Sequence, residues 1–193
     1  MAASGGLAAV TIRSIAAEMG FTTGVVMHHF TTKEAILEEM IERLFNGLRT
    51  AYRAAVEGAP RERRLERMLL ACLPLKSDTL FGWKLSIVLQ SEVLRSPAIA
   101  RLHQRHYRVF EQDILGELQH AQAIGQVAPA VDLAAAMTRL VVLVEGMGAT
   151  HVLRPRAMPA RLQRQMLREE LARLAVARGA ADAGRAAART DPP

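Results

Sequence analysis

Two groups of residues in this chain could do chemistry, and in both cases the chemistry is binding rather than bond-breaking. The first lies in "TTGVVMHHFTTK", where Thr22 and Thr23 offer hydroxyls and Gly24 lets the backbone come close to a partner. Hydroxyls and amide N–H groups at the start of a helix suit phosphate oxygens. Lys33, in the first turn of the next helix, adds a point charge for the same partner. The second group is scattered through apolar helices: Trp83, Gln90, Glu92, His103, His106, Tyr107, Phe110 and Glu145. A carboxylate inside "LVVLVEGMG" is costly unless it is paired or hydrated. Glu92 or Glu145 could therefore meet a cationic ligand, with Trp83, Tyr107 and Phe110 as cation–π walls. The plainer reading, favoured on sequence alone, sets the carboxylate at the surface or a dimer interface beside one of the many Arg residues. His103 and His106 stand three apart on one helix and would need a third ligand from elsewhere to hold a metal. Glu111 and Asp113 fall on other turns, so a polar pocket lining or a solvated face is expected, with no metal and no cofactor.

Nothing here resembles a reaction centre. No Ser-His-Asp order, Gly-rich phosphate loop or paired-carboxylate motif stands out, and an enzyme is not expected. The single Cys72 has apolar neighbours in "MLLACLPL" and no adjacent base, which suits a buried small hydrophobe. One cysteine also excludes a disulfide framework and fits a reducing cytoplasm. Half of the 193 residues are hydrophobic, enough for a sizeable core. No stretch without Asp, Glu, Lys or Arg is longer than residues 118–131, which include Gln, His, Gly and Pro; residues 19–32 equal it in length. A membrane-spanning helix needs ~20 mostly apolar residues, and no export signal precedes Arg13. The expectation is a soluble, cytoplasmic protein with no membrane partner. The net charge of +6 is misleading about nucleic acid, because its excess lies far from the hydroxyl-rich stretch. Residues 1–45 hold three basic side chains against five acidic ones, whereas residues 154–193 hold nine Arg against four acids.

The elements that must position these residues read almost wholly as helix. Thr11 can cap a helix with Ile12, Ile15, Ala16 and Met19 at helical spacing and Gly20 as its stop. Thr22 can cap a second, and Thr32 a third that keeps Ile36, Met40 and Leu44 on one face and runs towards Glu57. Further helices are predicted in "RERRLERMLLACL", in "GWKLSIVLQSEVLR", from Pro97 to about Ile124, from an Asp132 cap to about Leu153, and across Leu162, Met166, Leu171 and Leu174. The first two form a helix-turn-helix, in which the second helix enters the major groove of DNA. On spacing alone an ordinary helical hairpin fits as well. The all-α chain divides into residues 1–45, residues 46–178, and a tail at 179–193 expected to be disordered.

The pattern "T-x-R-x-I-A-x-x-x-G", then "G-x-x-x-x-H-F", then "K-E-x-x-L" resembles the DNA-binding head of the TetR family of one-component transcriptional regulators. The likeness covers residues 5 to about 45. It implies that Thr11, Thr22, Thr23, His29 and Lys33 touch backbone phosphates, and that Gly24, Val25 and His28 face base edges, Val25 against a thymine methyl. Met27 stands where the family usually has an aromatic residue, often Tyr, so one phosphate contact is expected to be lost. The family's first helix should precede "GLAAVTIR", where only "MAAS" remains, and the expected natural start lies upstream. Beyond the head, "AIGQVAPAVDLAAAMTRLVVLVEGM" is similar to a recurring segment of the family's ligand-binding and dimerisation domain. There Ala134, Ala135, Gly146 and Gly148 would let helices approach closely. The order "GWKLSIVLQSEVLRSPAIARLHQRHYRVF" is similar to the ligand domain of the choline-responsive repressor of glycine betaine synthesis. The resemblance implies a homodimeric repressor on a palindromic double-stranded operator, with half-sites ~34–36 Å apart, released by a small-molecule effector. The alternative is a helical ligand-binding or interaction protein that has lost DNA reading.

Overall fold

Thr32 turns extended backbone into helix: its hydroxyl accepts a hydrogen bond from the Ala35 amide at 3.1 Å, leaving Glu34 in the first turn against the positive end of the helix dipole. The computed structural model describes residues 32–175. The expected contacts of Thr11, Thr22, Thr23, Gly24, Val25, Met27, His28 and His29, the side chain of Lys33, and the tail expectation all lie outside the described residues. From Thr32 the chain runs as α1 (Lys33–Val56), a 3₁₀ turn (Arg61–Arg63), α2 (Arg64–Cys72), α3 (Ser77–Val93), α4 (Pro97–Ala123), α5 (Leu133–Leu153) and α6 (Ala160–Leu174).

The punctuation follows local chemistry. Gly58, at φ 70°, turns the chain after α1 in the left-handed region that a side chain would resist. Ser96 and Pro97 open α4, the Ser96 hydroxyl accepting from the Ile99 amide at 3.4 Å. The Asp132 carboxylate accepts from the Ala134 and Ala135 amides at 3.0 and 3.1 Å to start α5. One departure is α3, which begins at Ser77, ahead of Gly82, because the Thr79 hydroxyl and the Lys76 backbone close a capping turn there. Among the described residues the extended pairing is limited to a single bridge between Val127 and Ala175.

Two apolar clusters hold the helices. The larger joins α1, α2, α4, α5 and α6 through residues such as Leu69, Ile114, Leu118, Leu140 and Leu167, each fully buried. The smaller packs Leu37, Met40 and Ile41 of α1 against Leu85 and Leu89 of α3 and Ile99 of α4. Each such side chain removed from water contributes ~1.5–3 kcal/mol. Polar clamps fasten α1 and α2 to α4: the Tyr52 hydroxyl donates to Asp113, whose carboxylate also lies 3.6 Å from Arg49, and Arg64 makes a two-pronged bond to Glu117 at 2.6 and 3.0 Å.

The division drawn at residue 45 falls inside α1, which is unbroken from Lys33 to Val56 and belongs to both clusters. By length and composition α5 could cross a bilayer, with a mean hydropathy of 1.4, which a search for charge-free runs overlooks because Arg139 and Glu145 interrupt it. Its Ala136, Leu140, Val144 and Met147 are instead buried in the larger cluster.

Candidate functional site

Where the two clusters meet, the helices leave a cavity of about 290 Å³. That is at the lower end of the ~300–1,000 Å³ typical of ligand pockets, so its occupant must be small. Five helices border it, four of them through the side chains named next and α2 through Cys72. Leu44, Phe45 and Leu48 come from α1, and Trp83 and Ser86 from α3; Tyr107 and Phe110 come from α4, and Glu145 from α5. Cys72 also borders it, but its thiol donates to the Met68 carbonyl and burial pushes it up to about 12, so it is an inert wall.

Each ring is held. The Trp83 indole N–H donates to the Cys72 carbonyl at 2.8 Å, which satisfies its one polar atom and leaves the ring as an apolar face. Phe45 meets Tyr107 edge-on at 6.2 Å between ring centres, and Tyr107 meets Phe110 edge-on at 6.1 Å. Glu145 is half-buried, and the Tyr107 hydroxyl donates to its carboxylate. Burial holds the Glu145 carboxyl above the usual carboxylate range. Among the described residues of the single chain no Arg or Lys forms an ion pair with Glu145. The arrangement is a small, mostly apolar box whose lining also carries the carboxylates of Glu145 and Asp78 and the Arg43 guanidinium; the aromatic faces beside Glu145 are the part suited to an organic cation.

Four of the seven expected ligand residues, Trp83, Tyr107, Phe110 and Glu145, meet in this cavity. The other three do not line it. Glu92 sits on the last turn of α3, about 13 Å along the helix axis from Trp83. His103 stacks on the outer side of Tyr107, centres 5.3 Å apart, and burial followed by the neighbouring His106 lowers its pKa. His106 stacks on Phe45 at 5.0 Å, with its Nε2 3.0 Å from Glu42 although out of line for a hydrogen bond. Among the described residues no three His, Cys, Asp or Glu side chains converge as a metal site. Sequence reading missed Phe45 and Leu48. The available signal was the large aromatic Phe45 beside the Leu44 stripe, one helical step of about 100° away.

Comparison with known proteins agrees with this architecture. The family described as BetI-type transcriptional repressor, C-terminal, matches residues 60–176, and that described as bacterial regulatory proteins, tetR family, matches residues 1–40. The HTH-type transcriptional regulator UidR of Escherichia coli K12 is 21% identical over 138 residues, covering 72% of this chain and 68% of the relative. A transcriptional regulator from Rhodococcus sp. RHA1 shares the fold with a TM-score of 0.71 at 19% identity, over 89% of this chain and 88% of that one. A transcriptional regulator from Saccharomonospora viridis, solved in complex with choline, has a TM-score of 0.70 at 25% identity, over 88% of each chain. With a C-terminal match spanning more than half of its length and a second match over the head, this chain belongs to the TetR family of transcriptional regulators, a family of DNA-binding proteins and not of enzymes.

Proposed function

We propose that this chain acts as a homodimeric repressor that leaves a palindromic operator when a small organic cation enters the cavity. The observation that carries the reading is Glu145, a half-buried carboxylate whose described partner is a neutral Tyr107 hydroxyl, set among aromatic rings. A quaternary ammonium would meet Phe45, Trp83, Tyr107 and Phe110 through its methyl groups and Glu145 through its charge. The choline bound by the Saccharomonospora viridis regulator supports that class of ligand. Thr11, Thr22, Thr23, His29 and Lys33 would hold phosphates, with Gly24, Val25 and His28 towards the bases, while Met27 would face the DNA without the phosphate hydrogen bond of the family's usual aromatic. Phe45 is at once a wall of the cavity and part of α1, the helix that follows the head, so a ligand that prefers a different Phe45 position shifts the heads. Pairing would use α5 and α6. Val142 and Leu153 are 63% and 58% exposed on one side of α5, and such a strip is covered when two copies form a four-helix bundle.

The test is a gel-shift titration of the full chain on DNA from upstream of its own gene at low salt. A retarded complex that dissociates as choline is added is expected. No complex, or one indifferent to choline and other quaternary ammonium ions, overturns the reading.

A further inference from the structure

Gly148 is buried on α5, and a Cβ built on it would fall within 2.5 Å of three atoms of the Trp83 ring. At Gly116 and Gly146 the same atom would meet nothing within 4 Å. Carbon atoms in contact rest ~3.5–4.0 Å apart, so any side chain at 148 forces the indole back by about 1 Å or more. The ring has little choice of direction. It lines the cavity, and its N–H is tied to the Cys72 carbonyl at 2.8 Å. Withdrawal from α5 therefore carries it into the ligand space and strains that hydrogen bond.

We infer that Gly148 is a specificity-determining position: its bare backbone seats the Trp83 indole against α5, and that seat sets the largest ligand the cavity admits. The inference deepens the effector reading given above and rests on it for the cavity's role. With about 290 Å³ available, a ring displaced by about 1 Å is a large fraction of the margin around a molecule of choline's size. The seat thus acts as a gauge, excluding bulkier ligands without touching them through Gly148 itself. It also explains a glycine in the middle of a helix, where alanine ordinarily gives the more stable chain.

The full chain offers a direct readout, because Trp83 is its single tryptophan. Gly148→Ala is compared with Gly116→Ala by tryptophan emission, acrylamide quenching and thermal melting. Calorimetry then measures choline, the smaller tetramethylammonium, and the neutral carbon analogue of choline in which a carbon replaces the charged nitrogen. Gly148→Ala is expected to shift the emission and lower Tm where Gly116→Ala does neither. It should weaken choline and the neutral analogue alike, roughly tenfold or more, and tetramethylammonium less. Adding Trp83→Phe to Gly148→Ala should restore Tm, and that double variant decides the matter if Gly148→Ala alone does not fold. If the unaltered chain binds the neutral analogue but no cation, the charge reading fails while the gauge stands. Unchanged emission and affinity in Gly148→Ala, no rescue by Trp83→Phe, or an unaltered chain that admits neither molecule overturns the inference.

Discussion

Replacing Glu145 by Gln separates the charge that this residue brings to the cavity from its shape, with Asp78 and Arg43 of the lining left in place. Gln keeps an oxygen that can accept from Tyr107 and fills nearly the same volume, so the change removes the charge alone. A cation ~4 Å from a carboxylate gains ~4 kcal/mol at the effective dielectric of a protein surface. Glu145 is only half-buried, and solvent screening reduces that to about 2 kcal/mol, or roughly thirtyfold in Kd. The rings contribute ~0.5–1 kcal/mol each, so weak binding survives in Glu145→Gln. Isothermal calorimetry with choline from the ordinary carboxyl value of 4.5 upward in pH adds a second dimension. The attracting form is the deprotonated one, and burial holds the proton on beyond the usual carboxylate range, so affinity rises with pH until that raised pKa is passed. Stability without ligand moves the other way. The folded chain binds the Glu145 proton more tightly than the unfolded one, so stability falls as pH climbs from the unfolded to the folded pKa, a slope that Glu145→Gln lacks. Equal choline affinity in Glu145→Gln at neutral pH, or a wild-type affinity flat across that range, refutes the reasoning.

Other outcomes follow from the same structure. Leu140→Ala, at a fully buried position of α5, should lower unfolding stability in urea by ~2–5 kcal/mol. His103 is held below its ordinary pKa of 6.5, so the unfolded chain takes up a proton that the folded ring refuses. Stability should fall as pH drops from 6.5 through the lowered value, and pH-dependent melting of His103→Gln should lose that part of the slope. Val142→Arg places a charge in the exposed apolar strip of α5 and should shift the chain from dimer to monomer in analytical ultracentrifugation, with melting of the monomer core little changed.

Much of the fold was legible because its punctuation is local. Thr32, Pro97 and Asp132 start helices through their own side chains, and all three starts were readable from residue type. The cavity was half legible. Trp83, Tyr107, Phe110 and Glu145 stand out as aromatic or acidic residues in apolar helices, and burial at a shared junction brings them together. Glu92 stands out for the same reason, yet a helix axis advances about 1.5 Å per residue, and no periodicity argument says which turn faces the gap. His103 is one turn from Tyr107 on the same side of α4, so composition could not tell a wall from the ring behind it. Gly148 is the sharpest case: a small residue read as a helix-approach site turns out to receive a tryptophan from α3, while Gly146, two positions earlier, meets nothing.

The continuity of α1 has a mechanical consequence. Near Tyr52 the helix is pinned to α4 by Asp113, and a swing of its N-terminal arm about that pin would have to carry the smaller cluster of α3 and α4 with it. Phe45 lies about 10 Å from the pin along the axis and Lys33 about 28 Å, so a stiff rod magnifies sideways travel nearly threefold. In the release mechanism proposed above, a nudge of about 1 Å by a guest beside Phe45 would arrive at Lys33 as close to 3 Å, a displacement that would spoil the spacing of two heads on half-sites ~34–36 Å apart.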